Sequence, residues 1–374
     1  MSRLFEPLPL RSVTLRNRVV VSPMQTYSAK DGIAGDWHFA HLSRFALGGA
    51  GLVIVEATGV LPEGRSTYGD TGLWSDDQID GFRRIVDFAH AQGCAMGIQL
   101  QHAGRKASAQ RPWHGNGPLT REDAELRNDA PWRAVAATAQ PFDRGWPSAK
   151  AASTEDIGRI LEAYRSATRR ARAAGFDVLE IHAAHGYLAH SFLSPLSNDR
   201  NDEYGGDLGG RMRFLLEVVR TVREEWPADR PVFVRISAVD GVETGWSLKD
   251  STVLAHQLAA AGVDVVDCSS GGMKLASAAQ MVARQPGFQV PFASHIRRHA
   301  GVKTMAVGLI RDAQQAEEIL CDGHADLIAL GRELLWNPNW ALHAAEQLDP
   351  ENHWARWPIQ FGWWLKRRAR ANAP

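Results

Sequence analysis

Four times along the chain, a helix-forming stretch is cut by glycine and followed at once by a short apolar run. The segments are Ala46-Leu-Gly-Gly-Ala-Gly-Leu-Val-Ile-Val-Glu56, Ala173-Ala-Gly-Phe-Asp-Val-Leu-Glu-Ile-His182, Ala260-Ala-Gly-Val-Asp-Val-Val-Asp-Cys268 and Cys321-Asp-Gly-His-Ala-Asp-Leu-Ile-Ala-Leu330. Glycine supplies the left-handed residue that ends a helix. The apolar run that follows reads as a strand buried on both faces. Helix, stop and buried strand in repetition mean parallel β/α units. Counting every such run predicts eight strands, at roughly 18–24, 52–58, 95–101, 178–183, 232–238, 263–269, 302–308 and 325–330. Eight alternating units predict a closed (β/α)8 (TIM) barrel, one α/β domain over residues 1–374. No Gly-x-Gly-x-x-Gly follows the first strand, which disfavours an open dinucleotide-binding sheet.

Between the strands, residues 154–174 are amphipathic, and Ser75-Asp-Asp-Gln78 and Ser153-Thr-Glu-Asp156 read as helix starts of the capping-box kind. Two connections, about 103–150 and 186–210, are too long for plain turns. Both follow strand C-termini, so they belong to the catalytic face of a barrel.

Composition narrows the partners. Lys+Arg and Asp+Glu balance at 42 each, which gives no reason to expect nucleic acid or an anionic membrane surface. No apolar run reaches the roughly 18 residues of a membrane span. Residues 1–12 lack the apolar core of a signal peptide. Cys94, Cys268 and Cys321 lie far apart and form neither a zinc spacing nor a disulfide framework. A cytoplasmic protein is the expectation. Six of the thirteen tryptophans fall after residue 335, so the tail, about 335–374, is expected to pack at a specific place such as a subunit interface.

In a barrel the chemistry gathers where strands end. Those ends read Ser22-Pro23-Met24-Gln25 with Tyr27, Glu56-Ala57, Gln99 through Lys106, His182-Ala-Ala-His185-Gly-Tyr187, Arg235, Ser269-Ser-Gly-Gly272, Gly308 and Gly331-Arg332. Glycine turns after the last strands expose N–H groups to an anion, and Arg332 adds a guanidinium, so a phosphate site is expected there. His182 and His185 could grip a carbonyl or nitro oxygen, with Tyr187 as proton source. Zinc is the rival for the two histidines, but it needs a third ligand, and the first strand offers Met24 and Gln25. Arg235, inside an apolar strand, is either one half of a barrel ion pair with Glu56 or Glu180, or a fixed cation beside a cofactor. The Gln99 amide can both donate and accept at a ring edge.

Taken together, these ends resemble the Old Yellow Enzyme family of FMN-dependent ene-reductases, and most of all its thermophilic-like, xenobiotic-reductase class. The resemblance runs from Leu4-Phe-Glu-Pro-Leu8 to Gly331-Arg-Glu-Leu-Leu335. It is most specific in Gln99-Leu-Gln-His-Ala-Gly-Arg-Lys106, His182-Ala-Ala-His-Gly-Tyr-Leu188, Phe192-Leu-Ser-Pro-Leu-Ser-Asn-Asp-Arg200 and Tyr204-Gly-Gly206. It implies a tightly held, non-covalent FMN, with Ser22, Pro23, Met24, Gln25, Ala57, Gln99 and Arg235 around the flavin ring. Ser269, Gly308, Gly331 and Arg332 would hold the ribityl phosphate. It implies His182 and His185 on the oxygen of an activated alkene, Tyr187 as proton donor, and Tyr27 and Gln25 in the substrate pocket. NADPH or NADH would donate hydride. Electron-poor alkenes (enones, maleimides, nitroalkenes) would be the substrates, and the assembly a homodimer or tetramer. One departure stands out: the class usually has cysteine where this chain has Gln25.

Two other readings of the residues stay open at this level: a flavin-free barrel lyase or aldolase, and a histidine-ligated metal enzyme. Against a Schiff-base aldolase, Lys303 begins its strand and so lies at the wrong end of the barrel, and Lys106 lies in a loop.

Overall fold

A computed structural model describes residues 2–273 and 282–371 of the chain. Eight parallel strands close into a barrel in chain order. They are β1 Val19–Val21, β2 Leu52–Gly59, β3 Ala95–Gln101, β4 Val178–Ala183, β5 Val232–Ser237, β6 Val265–Ser269, β7 Lys303–Ala306 and β8 Leu327–Leu330. Every expected run is a strand in the expected place, several of them shorter. β1 stops before Ser22-Pro23, because proline has no N–H for the ladder. β2 carries a register shift between Val55 and Thr58, so the Glu56-Ala57 pair sits on a bulge.

The crossover helices are α1 Asp36–Leu47, α2 Ile79–Ala91, α3 Thr154–Ala173, α4 Leu208–Glu225, α5 Leu248–Ala260, α6 Val290–Ala300 and α7 Ala313–Cys321. The start of α3 is a reciprocal capping box: Asp156 N donates to Ser153 Oγ at 3.1 Å, and Ser153 N donates to Asp156 Oδ2 at 2.9 Å. The shorter Asp side chain therefore closes this box as Glu would. At Ser75, the Gln78 amide oxygen accepts from Ser75 N at 3.1 Å, but the residues form one 3-10 turn ahead of α2 rather than its first turn. Of the four recurring glycine stops, Gly175, Gly262 and Gly323 take positive φ at 92°, 90° and 70°. In the first phrase that conformation passes to Gly49.

Two layers of core follow from the strand pleat. Side chains facing out meet the helices in one large apolar cluster. Those facing in at the N-terminal end form a smaller one, with Val20, Leu52, Ile54, Val178, Phe233, Val265, Met305 and Leu327. An antiparallel hairpin, Leu8–Leu10 with Val13–Leu15, closes that end by adding Leu8, Leu10 and Leu15. The barrel is thus filled from below, which leaves room at the strand C-termini.

After β8 the chain forms helices Arg332–Trp336 and Trp340–Leu348 and a final helix, Ile359–Ala371. Trp340 is buried and its indole N–H donates to Arg311 O at 2.8 Å. Trp336, Trp363 and Trp364 are exposed. Among the described residues no helix is long and apolar enough to cross a membrane.

Phe233 is fully buried in the barrel floor. Phe233→Ala should destabilise the fold by about 3–5 kcal/mol, read from the denaturant midpoint. A loss under about 1 kcal/mol would show that this floor is not close-packed.

Candidate active site

Period-two alternation carries three inward ladders up from the apolar floor: Val178-Glu180-His182 on β4, Phe233-Arg235-Ser237 on β5 and Val265-Asp267-Ser269 on β6. The lowest layer is hydrophobic, the middle one charged, and the uppermost carries the histidine.

In the middle layer Arg235 Nε lies 3.0 Å from Asp267 Oδ2, its in-register neighbour, and Arg235 Nη1 donates to Ser22 Oγ at 3.3 Å. The expected partners, Glu56 and Glu180, are not the ones used. The bulge places Glu56 elsewhere: it accepts from Thr26 N at 2.6 Å, and its other oxygen is 3.6 Å from His38 Nε2. Glu180 takes the Gln99 amide N–H at 2.8 Å. Burial raises the pKa of both Glu180 and Asp267, and the proximity of Asp267 raises Glu180 further. With two buried carboxyls and one guanidinium, Asp267 carries the counter-charge while Glu180 holds a proton about neutrality.

Above this layer, His182 and His185 meet edge to face with ring centres 5.2 Å apart, and His182 meets Tyr187 in the same way at 4.8 Å. Both imidazoles are held well below their ordinary pKa, first by burial and then by Arg235. They are therefore neutral at pH 7. Ala184 N donates to His182 Nδ1 at 3.2 Å, so the His182 proton belongs on Nε2. His185 has φ 59°. Its N–H donates to Ser237 Oγ at 2.9 Å, its carbonyl accepts from Lys106 Nζ at 2.9 Å, and its Nε2 lies 2.6 Å from Ser269 Oγ.

The Tyr187 hydroxyl donates to Gln25 Oε1 at 3.3 Å, and Gln25 Nε2 donates to Asp70 Oδ2 at 3.0 Å. Asp70 also accepts from Ser66 N at 2.6 Å and Thr67 Oγ1 at 2.8 Å. The buried carboxylate thus sets the orientation of the Gln25 amide, nitrogen toward Asp70 and oxygen toward the phenol. Burial, then Asp70, pushes the Tyr187 phenol up to about 12, so it keeps its proton throughout the neutral range. Gln25 stands beside the Tyr187 hydroxyl; of the cysteines, Cys94 and Cys268 are buried and Cys321 is exposed.

Two cavities flank these groups. One, of about 300 Å³, is lined by Ser22, Pro23, Met24 and Arg235 from the first and fifth strand ends and by Gly308, Gly331 and Arg332 from the last two. Gly308 has φ 119°, and a Cβ there would come within 3.0 Å of Gln289 and Phe288, so backbone lines the cavity closely. Seven of the residues expected around a cofactor therefore share one space. Ser269 does not line it; its hydroxyl is engaged by His185 and lies 3.4 Å from Gln289 Oε1. Ala57 and Gln99 are buried and do not line it either. Leu309 and Arg311, chain neighbours of Gly308, also line the cavity, as do Phe288 and Gln289, which had no sequence signal. The second cavity, about 340 Å³, is lined by Tyr27 and Tyr187, by Ser66 and Thr67, and by Lys106, Gln110, Phe142 and Trp146 from the long connection after β3. Among the described residues no group of three or more His, Cys, Asp or Glu could hold a metal ion.

The cradle's chemistry suits FMN: the ion-paired Arg235 could stand beside a ring, and glycine backbone with Arg311 and Arg332 could meet an anion, with Glu333 also in the lining. Comparison with known proteins agrees. Residues 3–351 match the model of the NADH:flavin oxidoreductase / NADH oxidase family. The chain is 46% identical to an NADPH dehydrogenase of Geobacillus thermodenitrificans, over 96% of this chain and 98% of the relative. It is 47% identical to one from Listeria monocytogenes serotype 4a, over 93% and 96%. Among solved structures it resembles morphinone reductase in complex with tetrahydroNAD, with TM-score 0.74, 27% identity and coverage of 92% of this chain and 90% of that one. The chain therefore belongs to the NADH:flavin oxidoreductase / NADH oxidase family, the Old Yellow Enzyme group of FMN-dependent oxidoreductases that draw electrons from a nicotinamide nucleotide.

Proposed function

We propose that the chain is an ene-reductase that reduces the activated C=C bonds of enones, maleimides and nitroalkenes at the expense of NADPH or NADH. The observation that carries this reading is the grouping, at one strand end between two cavities, of two neutral imidazoles and a phenol that keeps its proton. FMN, when bound, supplies the redox centre that takes hydride from the nucleotide and passes it to the β-carbon of the alkene.

The protein's part is electrostatic and positional. His182 Nε2–H and a His185 ring N–H hold the carbonyl or nitro oxygen and stabilise the charge that grows on it. Neutral imidazoles suit this task, because they donate without competing for a proton. Tyr187 delivers the proton to the α-carbon. Gln25, held by Asp70, fixes where that hydroxyl stands. Arg235, anchored by Asp267, is the fixed positive charge beside a ring that gains electrons. Gly308, Gly331 and Arg332 grip the phosphate, and Tyr27 borders the substrate space.

Two experiments test these roles. A guanidinium–phosphate bond contributes about 1.5–3 kcal/mol. Arg332→Ala should therefore raise the FMN dissociation constant on the order of 10- to 100-fold, measured by fluorescence of released flavin. Unchanged retention of FMN would remove Arg332 from the phosphate site. Tyr187→Phe should slow reoxidation by a weakly activated enone by about 10²–10⁴-fold in anaerobic stopped flow, while reduction by nucleotide keeps its rate. An unchanged oxidative half-reaction would show that the proton comes from elsewhere.

A further inference from the structure

Lys106 has no part in the steps just assigned, yet it sits among the groups that perform them. Its Nζ lies 4.7 Å from the centre of the Tyr187 ring and 4.8 Å from that of Phe142. It stands over the face of the phenol, whose hydroxyl is turned to Gln25, so it is not on the path of the proton. Among the described residues its hydrogen bond goes to the carbonyl of His185. A neutral donor would serve that purpose, and the backbone of His185 is already tied down through Ser237. Among the described residues the positive charge meets only this carbonyl and the faces of two rings, and no ion pair.

That charge is also poorly compensated. Among the described residues no carboxylate pairs with Lys106. The adjacent cation, Arg105, is buried too, donates to Met273 Sδ at 2.9 Å and is likewise without an ion pair among the described residues. Burial, then Arg105, draws the Lys106 ammonium down to about 8, so it remains mostly protonated at pH 7. A cation held this way calls for an anion. Lys106 lines the 340 Å³ cavity, and the other lining side chains are uncharged: tyrosines, Ser66, Thr67, Gln110 and apolar rings. Nothing negative in that lining would repel an anionic guest.

We propose that Lys106 is a carboxylate-binding subsite, so that the preferred alkenes carry, beside the activating carbonyl, an anionic carboxylate arm. The carbonyl oxygen would lie on His182 and His185 and the arm would reach the ammonium. This rests on the ene-reductase reading of the pocket.

The test is a binding comparison on the oxidised, FMN-loaded enzyme without nucleotide, followed by the flavin absorbance at pH 7. The probes are a cyclic enone with a carboxymethyl arm and its neutral amide. The acid should bind at least about tenfold tighter than the amide. Lys106→Met should bring that ratio to about one, and Lys106→Arg should restore most of it. Equal affinities in the wild type, or a ratio that survives in Lys106→Met, would overturn the subsite. Should Lys106→Met fail to fold, the wild-type ratio and its retention in Lys106→Arg decide. Acid and amide binding equally well, with both reduced once nucleotide is added, removes the subsite and leaves ene-reduction standing. A flavin spectrum indifferent to both probes would count against the pocket reading and the subsite together.

Discussion

A guanidinium inside a barrel of parallel strands is tolerable only with a carboxylate beside it, and Arg235 finds one in Asp267 at 3.0 Å, in register on the next strand. Much above that layer depends on this pair. Arg235 can be a fixed cation in the lining of the 300 Å³ cavity because its counter-ion is permanent and buried. The same cation is the leading charged neighbour holding His182 and His185 neutral. Removing Asp267 would leave the guanidinium uncompensated under the histidines and the cavity alike.

The neutral histidine pair and the protonated tyrosine are two outcomes of one cause. Burial disfavours the charged form of each, which lowers the imidazoles and raises the phenol. The site is therefore stocked with neutral donors at pH 7, the condition under which a developing oxyanion gains most from them. Asp70 adds direction by fixing the Gln25 amide, and the amide in turn fixes the Tyr187 hydroxyl. Where a thiol could change charge, Gln25 gives a neutral link whose orientation is set by a carboxyl behind it.

The strands were legible because a strand buried on both faces must be apolar throughout, and the helices because glycine and serine mark their ends. Arg235 and Gln99 were legible for the converse reason, as polar residues within such strands. Their partners were not. Asp267 and Glu180 look alike in sequence, and only the register of adjacent strands decides which one faces Arg235. The bulge in β2 removed Glu56 from consideration for the same kind of reason. The resemblance groups Ser269 with the phosphate ligands; in the structure its hydroxyl lies 2.6 Å from His185 Nε2, on a histidine in a left-handed turn. The link from Asp70 to Tyr187 spans residues more than 100 apart in the chain, and no local pattern marks it; Lys106 was legible as part of the β3 end, but its place over the Tyr187 ring was not.

On the proposed reading, two neutral imidazoles hold an oxyanion over the flavin. Titrating the oxidised, FMN-loaded protein with substituted phenols tests it most directly. A phenol captured as phenolate over the flavin gives a long-wavelength charge-transfer band. That band should appear in the wild type and weaken in both His182→Ala and His185→Ala. A wild type with no such band, or a band undiminished in both variants, would contradict the account.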